Sequence, residues 1–249
     1  VNEITPQAIR EIAGFTARVE GWLTLEEGIL LYQLARACTG RGVIVEIGSY
    51  KGKSTIWLAK GSLAGAGVKV YAVDPHTGSA EHRQGDQAIW TYEEFFANLR
   101  RAGVDAVVQP LVATSAEAAS VLNLPVELVF IDGDHQYEMV RQDFDLWFPK
   151  LVEGGYLLLH DTIRWDGPRR VARESIYRSA VFRQVGFVHS ITYGQKVRRN
   201  AAADRLRQRY LLVLHTVYDW LTCIRVPTPL KQAAKSIFAG LQGTTKPFG

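Results

Sequence analysis

Two clusters of ionisable residues follow apolar runs in this 249-residue chain. Asp132-Gly133-Asp134-His135 follows Leu128-Val129-Phe130-Ile131, and His160-Asp161-Thr162 follows Tyr156-Leu157-Leu158-Leu159. Carboxylates and imidazoles are costly to bury unpaired. Brought together, they could do general acid–base work or hold a divalent cation. Carboxylates suit magnesium or manganese, and imidazole suits transition metals. Asp132, His160 and Asp161 form the candidate ligand set, while Asp161 could instead fix His135 or His160 by a hydrogen bond. A plainer reading makes Asp134 the cap of a helix from Gln136 and leaves His135 solvated.

A third group has different chemistry. The run Val43-Ile44-Val45-Glu46-Ile47 ends in Gly48-Ser49-Tyr50-Lys51-Gly52 and leads into Lys53-Ser54. Gly52-Lys53-Ser54 imitates the end of a phosphate loop, but that loop needs four residues between its glycines and only Ser49, Tyr50 and Lys51 intervene here. A dinucleotide turn needs a glycine where Tyr50 stands. A carboxylate at Glu46 suits a cationic or hydrogen-bond-donating ligand and repels a phosphate. The alternative is a tight strand-to-helix turn that binds nothing. The next strand-like run, Val68–Val73, ends at Asp74-Pro75. In nucleoside-binding α/β folds an acidic residue there takes the ribose hydroxyls, although Asp-Pro also favours a plain turn.

These groups need strands to hold them at one edge. Strands are expected at 43–47, 68–73, 105–110, 126–131, 155–160, 182–189 and 191–197, from β-branched or apolar runs. Helices are expected at 6–20, 25–38, 53–64, 90–102, from Ser115, 137–149 and 168–180. Thr24 and Glu27 have capping-box spacing at the start of the second helix. Strands alternating with helices predict an α/β fold with a parallel sheet covered on both faces. The last two strands share a short turn and are expected to be antiparallel.

Together, Glu46-Ile47-Gly48-Ser49-Tyr50-Lys51-Gly52, Val73-Asp74-Pro75, Phe130-Ile131-Asp132-Gly133-Asp134-His135 and Gly154-Gly155 with His160-Asp161 resemble the motifs of class I methyltransferases that use S-adenosyl-L-methionine. Within that class the chain is similar to methyltransferase family 24, related to the metal-assisted O-methyltransferases of catechols, caffeoyl esters and macrolide sugars. The resemblance covers residues 22–197. It implies a Rossmann-like seven-stranded sheet in the order 3-2-1-4-5-7-6, strand 7 antiparallel. It implies that Glu46, Gly48 and Ser49 hold the methionine part, Asp74 the ribose, and Ser115 lies near adenine. The full cofactor set it implies also takes in Tyr50, Gly52, Ser54, Pro75, Asp132, Gly133 and His135. Asp132 falls where the relatives have a metal ligand, and His135 where they have the base, with Asp161 completing the catalytic set. Those relatives carry an acidic pair or Asp-Asn after strand five. Here the positions are His160-Asp161 or Asp161-Thr162, which departs from the pattern and leaves the metal open. The expected activity is methylation of a hydroxyl on a small molecule, a sugar among the candidates, with His135 as general base. The rival expectation is a nucleoside-binding or tail-anchored interaction protein that catalyses nothing.

The acceptor is least specified. Loops 76–89 (His76, His82, Arg83, Asp86, Trp90) and 163–170 (Arg164, Trp165, Asp166, Arg169, Arg170) are expected to flank the mouth. Composition fits a globular protein: 47% hydrophobic and 22% charged residues. Cys38 and Cys223 have no metal-motif spacing, which fits a reducing compartment. The first residues lack an apolar core segment, so no secretory leader is expected, and the expected location is cytoplasmic or membrane-peripheral. The charge is uneven. From Lys196 onward there are ten basic and two acidic residues, a net +8 against +4 for the whole chain. A helix is expected at about 201–224 and another at 230–240, separated by Pro227 and Pro229. Three readings of this tail stay open: packing on the domain or a twin subunit, contact with a membrane surface, and nucleic-acid binding, which no RNA-binding motif supports. The expected organisation is a helical cap at 1–40, a methyltransferase domain at 41–197 and a basic helical extension at 198–249.

Overall fold

Parallel strands buried on both faces read as unbroken apolar runs, and Leu128–Ile131 and Tyr156–Leu159, at the centre of the sheet, are such runs. The computed structural model of the chain describes residues 4–78 and 89–223. Its strands are β1 (Val43–Ile47), β2 (Val70–Val73), β3 (Val108–Leu111), β4 (Val126–Ile131), β5 (Leu151–Leu159), β6 (Phe182–Val188) and β7 (Ile191–Lys196). They form one seven-stranded sheet in the order β3-β2-β1-β4-β5-β7-β6. β1 pairs in parallel with β2 and β4, β4 in parallel with β5, and β7 antiparallel with β5 and β6. This is the order and direction that the motifs imply.

The helices are α1 (Pro6–Thr16), α2 (Leu25–Ala37), α3 (Lys53–Ala64), α4 (Tyr92–Ala102), α5 (Ser115–Val121), α6 (Tyr137–Trp147), α7 (Asp166–Val171) and α8 (Ala202–Cys223). A π-helical stretch, Ala172–Tyr177, continues α7. Strand alternation divides the core. Ile44, Leu128, Phe130 and Leu158 point to the side packed by α1, α2, α3 and α4 through Ile12, Leu31, Trp57 and Phe95. Val45, Val129, Ile131 and Leu157 point to the side packed by α5, α6 and α8 through Ala118, Trp147 and Leu211.

Several boundaries differ from the sequence expectation. β3 starts at Val108 because residues 104–107 turn, with Val107 N–H donating to the Val104 carbonyl at 3.0 Å. Pro110 is tolerated there because β3 is an edge strand. β2 is two residues shorter at its start, and β5 starts earlier, at Leu151. α1 stops at Thr16, whose hydroxyl donates back to the Ile12 carbonyl at 2.9 Å. His82, Arg83 and Asp86, and the expected helix at 230–240, lie outside the described residues.

Candidate active site

Register brings the chemistry-bearing residues into one row. Ile47 pairs with Ile131, and Ile131 with Leu159, so Gly48, Asp132 and His160 come next on three adjacent strands. The ladder runs one step further: Asp132 N–H donates to the Ile47 carbonyl at 2.8 Å, and His160 N–H to the Ile131 carbonyl at 3.0 Å. Gly48 has φ of 86°, and a Cβ there would overlap the Asp132 carbonyl oxygen. This is the close approach that only glycine permits. Three non-glycine residues just past β1, β2 and β5 also take left-handed backbone angles: Tyr50 at 45°, His76 at 57° and Asp161 at 53°. Such conformations cost energy and concentrate at functional sites.

At the β1 end, Glu46 is fully buried. Thr55, in the first turn of α3, donates its hydroxyl to Glu46 Oε2 at 2.5 Å. Burial pushes the Glu46 carboxyl up to about 8, against the pull of hydrogen bonds from Ser54 and Thr55. Glu46 Oε1 and Ser49 Oγ are buried without a hydrogen-bond partner among the described residues. Orphaned buried polar atoms are rare and costly, and this pair at a glycine turn fits a ligand that donates hydrogen bonds or carries positive charge. Gly52, with φ of 89°, precedes α3. Asp74, at the end of β2, receives Tyr50 N–H at 2.7 Å and His76 N–H at 2.6 Å, one on each carboxylate oxygen. Those bonds fix the carboxylate, and each oxygen keeps capacity to accept again. Pro75 is exposed beside it.

Asp132, His160 and Asp161 converge as the sequence predicts. His160 Nδ1 lies 2.7 Å from Asp132 Oδ1 and 3.3 Å from Asp161 Oδ2, and its Nε2 faces Glu27 Oε1 at 3.6 Å. Burial opposes charge on this ring, but the surrounding Asp132, Asp161 and Glu27 carboxylates raise its pKa well above 6.5. Glu27, for all its burial, is held down to about 2 by His160 and by N–H and O–H donors of Thr24 and Ser190. The ligand atoms of Asp132, His160 and Asp161 lie within 4.8 Å of one another. Two carboxylates and an imidazole suit a divalent cation, which would have to displace the His160 proton to bind.

Asp161 also reaches His135, with Nε2 2.9 Å from Oδ2. Burial raises the Asp161 carboxyl, but the His135 and His160 bonds pull it well below the usual carboxylate range. An ionised Asp161 only accepts, so Nε2 of His135 carries the proton. Trp165 stacks on the His135 ring at 4.0 Å between centroids and 14° between planes. Asp134 accepts Gln136 N–H at 2.7 Å in a turn but does not cap the helix, whose N-cap position is Gln136 with no side-chain cap bond, and His135 is held and stacked rather than solvated.

The mouth differs from expectation in its arginines. Arg169 pairs with Asp166 and Asp219, Arg170 pairs with Glu174, and Arg164 donates to the Thr222 carbonyl. These cations are already answered, and Trp165 is the mouth-loop residue stacked on the candidate base. Ser115 accepts Trp147 Nε1–H at 2.9 Å. Its side chain is thus turned to α6, where it also bonds Asp143, a carboxyl that burial pushes up to about 6. Tyr50 extends its hydroxyl to Glu20 at 2.9 Å, and Gly133 lies next to the Asp143 carboxylate. Sequence reasoning treats Glu27 only as a cap and does not single out Thr55, Asp143 or Ser190. Thr55 is findable, lying one turn into the helix after the glycine loop. Glu27 is not, since its second partner, Ser190, is 163 residues away.

Fold and strand-end cluster together define a class I methyltransferase domain. Residues 45–162 match the family model described as a methyltransferase domain. A catechol O-methyltransferase of Mycobacterium tuberculosis is 30% identical over 142 residues, covering 57% of this chain and 56% of that protein. An uncharacterized protein of Acanthamoeba polyphaga mimivirus is 31% identical over 71 residues, 28% of this chain and 29% of the relative. The chain thus spans about half or less of the length of the curated relatives it matches. Among solved structures, the O-methyltransferase NovP superposes with a TM-score of 0.60 at 19% identity, covering 70% of this chain and 81% of its own. TomG of Streptomyces achromogenes, an O-methyltransferase solved with S-adenosylmethionine, gives 0.54 at 18% identity over 79% and 92%. At these identities the superpositions establish the fold.

Proposed function

We propose that the chain is an S-adenosylmethionine-dependent O-methyltransferase acting on a small hydroxylated acceptor, with His135 as general base. The observation that carries this reading is the Asp161–His135–Trp165 arrangement beside the Glu46–Ser49 turn. Glu46 and Ser49 offer their orphaned oxygens to the amino-acid end of the cofactor, and the fixed Asp74 carboxylate takes its ribose hydroxyls. The cofactor supplies a methyl group already activated on a sulfonium. What remains for the protein is to orient the acceptor and remove its proton. With Nε2–H given to Asp161, the proton-accepting atom of the neutral His135 ring is Nδ1. The indole of Trp165 fixes the ring plane and keeps water from that side. A divalent cation, if bound by Asp132, His160 and Asp161, would lower the acceptor hydroxyl's pKa. The resemblance of the match region to a catechol O-methyltransferase supports a small hydroxylated acceptor.

Calorimetric titration with S-adenosylhomocysteine, followed by a phenol and sugar acceptor screen with and without magnesium, tests the reading. His135→Ala should lower kcat by about 10²–10⁴-fold, the range for general-base loss, with S-adenosylhomocysteine affinity unchanged. Near-normal turnover of that variant would remove His135 from the mechanism. No binding of S-adenosylhomocysteine by the intact chain would remove the whole reading.

A further inference from the structure

Helix α8 has two faces. Its inner face buries Leu211, His215 and Tyr218. It is pinned to the mouth loop by Asp219, which accepts Arg164 N–H at 2.8 Å and Arg169 Nη1–H at 2.6 Å. Its outer face exposes Leu206 (71%), Tyr210, Val213 (61%), Val217 and Trp220 (63%). These five recur at alternating intervals of four and three residues. At 1.5 Å per residue they form one continuous stripe about 21 Å long. Single exposed apolar residues are ordinary, but a contiguous patch marks a contact site.

We propose that this face of α8 docks on an anionic lipid surface. Charge selects the occupant. Arg205 and Arg209 are exposed on α8, with Arg199 exposed just before it, while the neighbouring Arg198 is already paired with Glu153 at 3.2 Å. The two acidic residues of the helix are turned to other work: Asp204 accepts Ala201 N–H at 2.9 Å, and Asp219 is buried. A second copy of α8 laid on the stripe would therefore bring arginines with no acidic side chain to answer them, where paired helices use opposite charges. Anionic headgroups supply the missing sign. The stripe also carries Trp220 and Tyr210, residues suited to the membrane–water interface. Residues 224–249 add four more basic side chains and no acidic one. No described helix is long and apolar enough to cross a membrane, so the contact proposed is with the surface.

The test is sedimentation of the full chain with vesicles of phosphatidylcholine alone and of phosphatidylcholine mixed with phosphatidylglycerol. Binding to the mixed vesicles only, weakened by salt, is expected. Each arginine at an anionic surface contributes about fivefold, so Arg205→Ala with Arg209→Ala should reduce partitioning about 25-fold. Val213→Asp should abolish it. All three positions are exposed, and unchanged circular dichroism and urea midpoints will show that the fold is intact. Equal sedimentation with both vesicle types would overturn the proposal, as would partitioning indifferent to these substitutions. A dimer in analytical ultracentrifugation that Val213→Asp dissociates would assign the face to a second copy and overturn it as well.

Discussion

At the scale of single residues, Glu46 sets the clearest conflict between stability and binding. Its carboxyl titrates at 4.5 in an ordinary setting and at about 8 in the fold, because burial disfavours its charged form. Between those values the folded chain holds a proton that the unfolded chain has lost. Stability therefore falls as pH rises from about 4.5 to about 8, and the full penalty is present above that window. Glu46→Gln keeps the partner-facing shape and removes the ionisation. The variant should gain a few kcal/mol over the parent above pH 8, on the order of the linkage term, and almost nothing below pH 4.5. Urea melts of ligand-free protein across that range will read it. The same variant should bind S-adenosylmethionine at least about tenfold more weakly, since a charge-assisted bond becomes a neutral one. Asp161→Asn probes the other half of the site. An amide can present its N–H₂ to His135 and so favour the wrong tautomer. A fall in kcat of about 10–10³-fold is expected, with acceptor KM and cofactor affinity little changed. Equal losses in kcat and cofactor affinity would mean that Asp161 only holds the loop.

Elements explain why those residues meet. The β1–β4–β5 register is what aligns Gly48, Asp132 and His160, and Gly48 is the point of closest approach between two strand ends. Gly48→Ala combines a forbidden overlap with an unfavourable φ of 86°. It should cost about 3 kcal/mol or more, measured as a shift in urea midpoint. A loss under about 1 kcal/mol would mean that β1 and β4 can separate at their ends without harm. Much of this layer was legible in the chain. Val43–Val45, Leu128–Ile131 and Tyr156–Leu159 are apolar runs that lead into polar or ionisable residues, and parallel strands carry those residues to the same edge of the sheet. Less legible were contacts made through space. Thr24–Glu27 reads as a local capping box and is one, yet the same Glu27 carboxylate also takes Ser190 and faces His160. Residues 105–107, expected as the start of a strand, are spent on a turn, because hydrogen bonds rather than residue type decide a strand's start. The apolar run after Tyr210 announces a helix, while the side that faces the body depends on where β6 and the mouth loop lie.

On the scale of the whole molecule, α2 is as much a part of the site as the strands. The sequence suggests a border near residue 41, with a helical cap before it. α2 buries Leu30, Leu31 and Leu34 against the same core cluster as Ile44, Trp57 and Leu128. Burial of each such leucine contributes about 1.5–3 kcal/mol. Losing three would cost about 5–9 kcal/mol, which rivals the whole stability of a typical domain. A chain beginning at residue 41 would also strip Glu27 from His160, leaving a buried imidazolium with one fewer counter-charge. Such a truncation should be recovered insoluble or without a cooperative urea transition. A compact, cooperatively melting product would make residues 41–197 an autonomous unit and α2 a detachable cover. Glu27→Gln separates packing from electrostatics, since it keeps the leucines and removes only the charge. It should leave the protein folded and lower the pH at which His160 loses its proton, followed by imidazole NMR. An unmoved His160 titration would mean that Asp132 and Asp161 suffice to hold the charge.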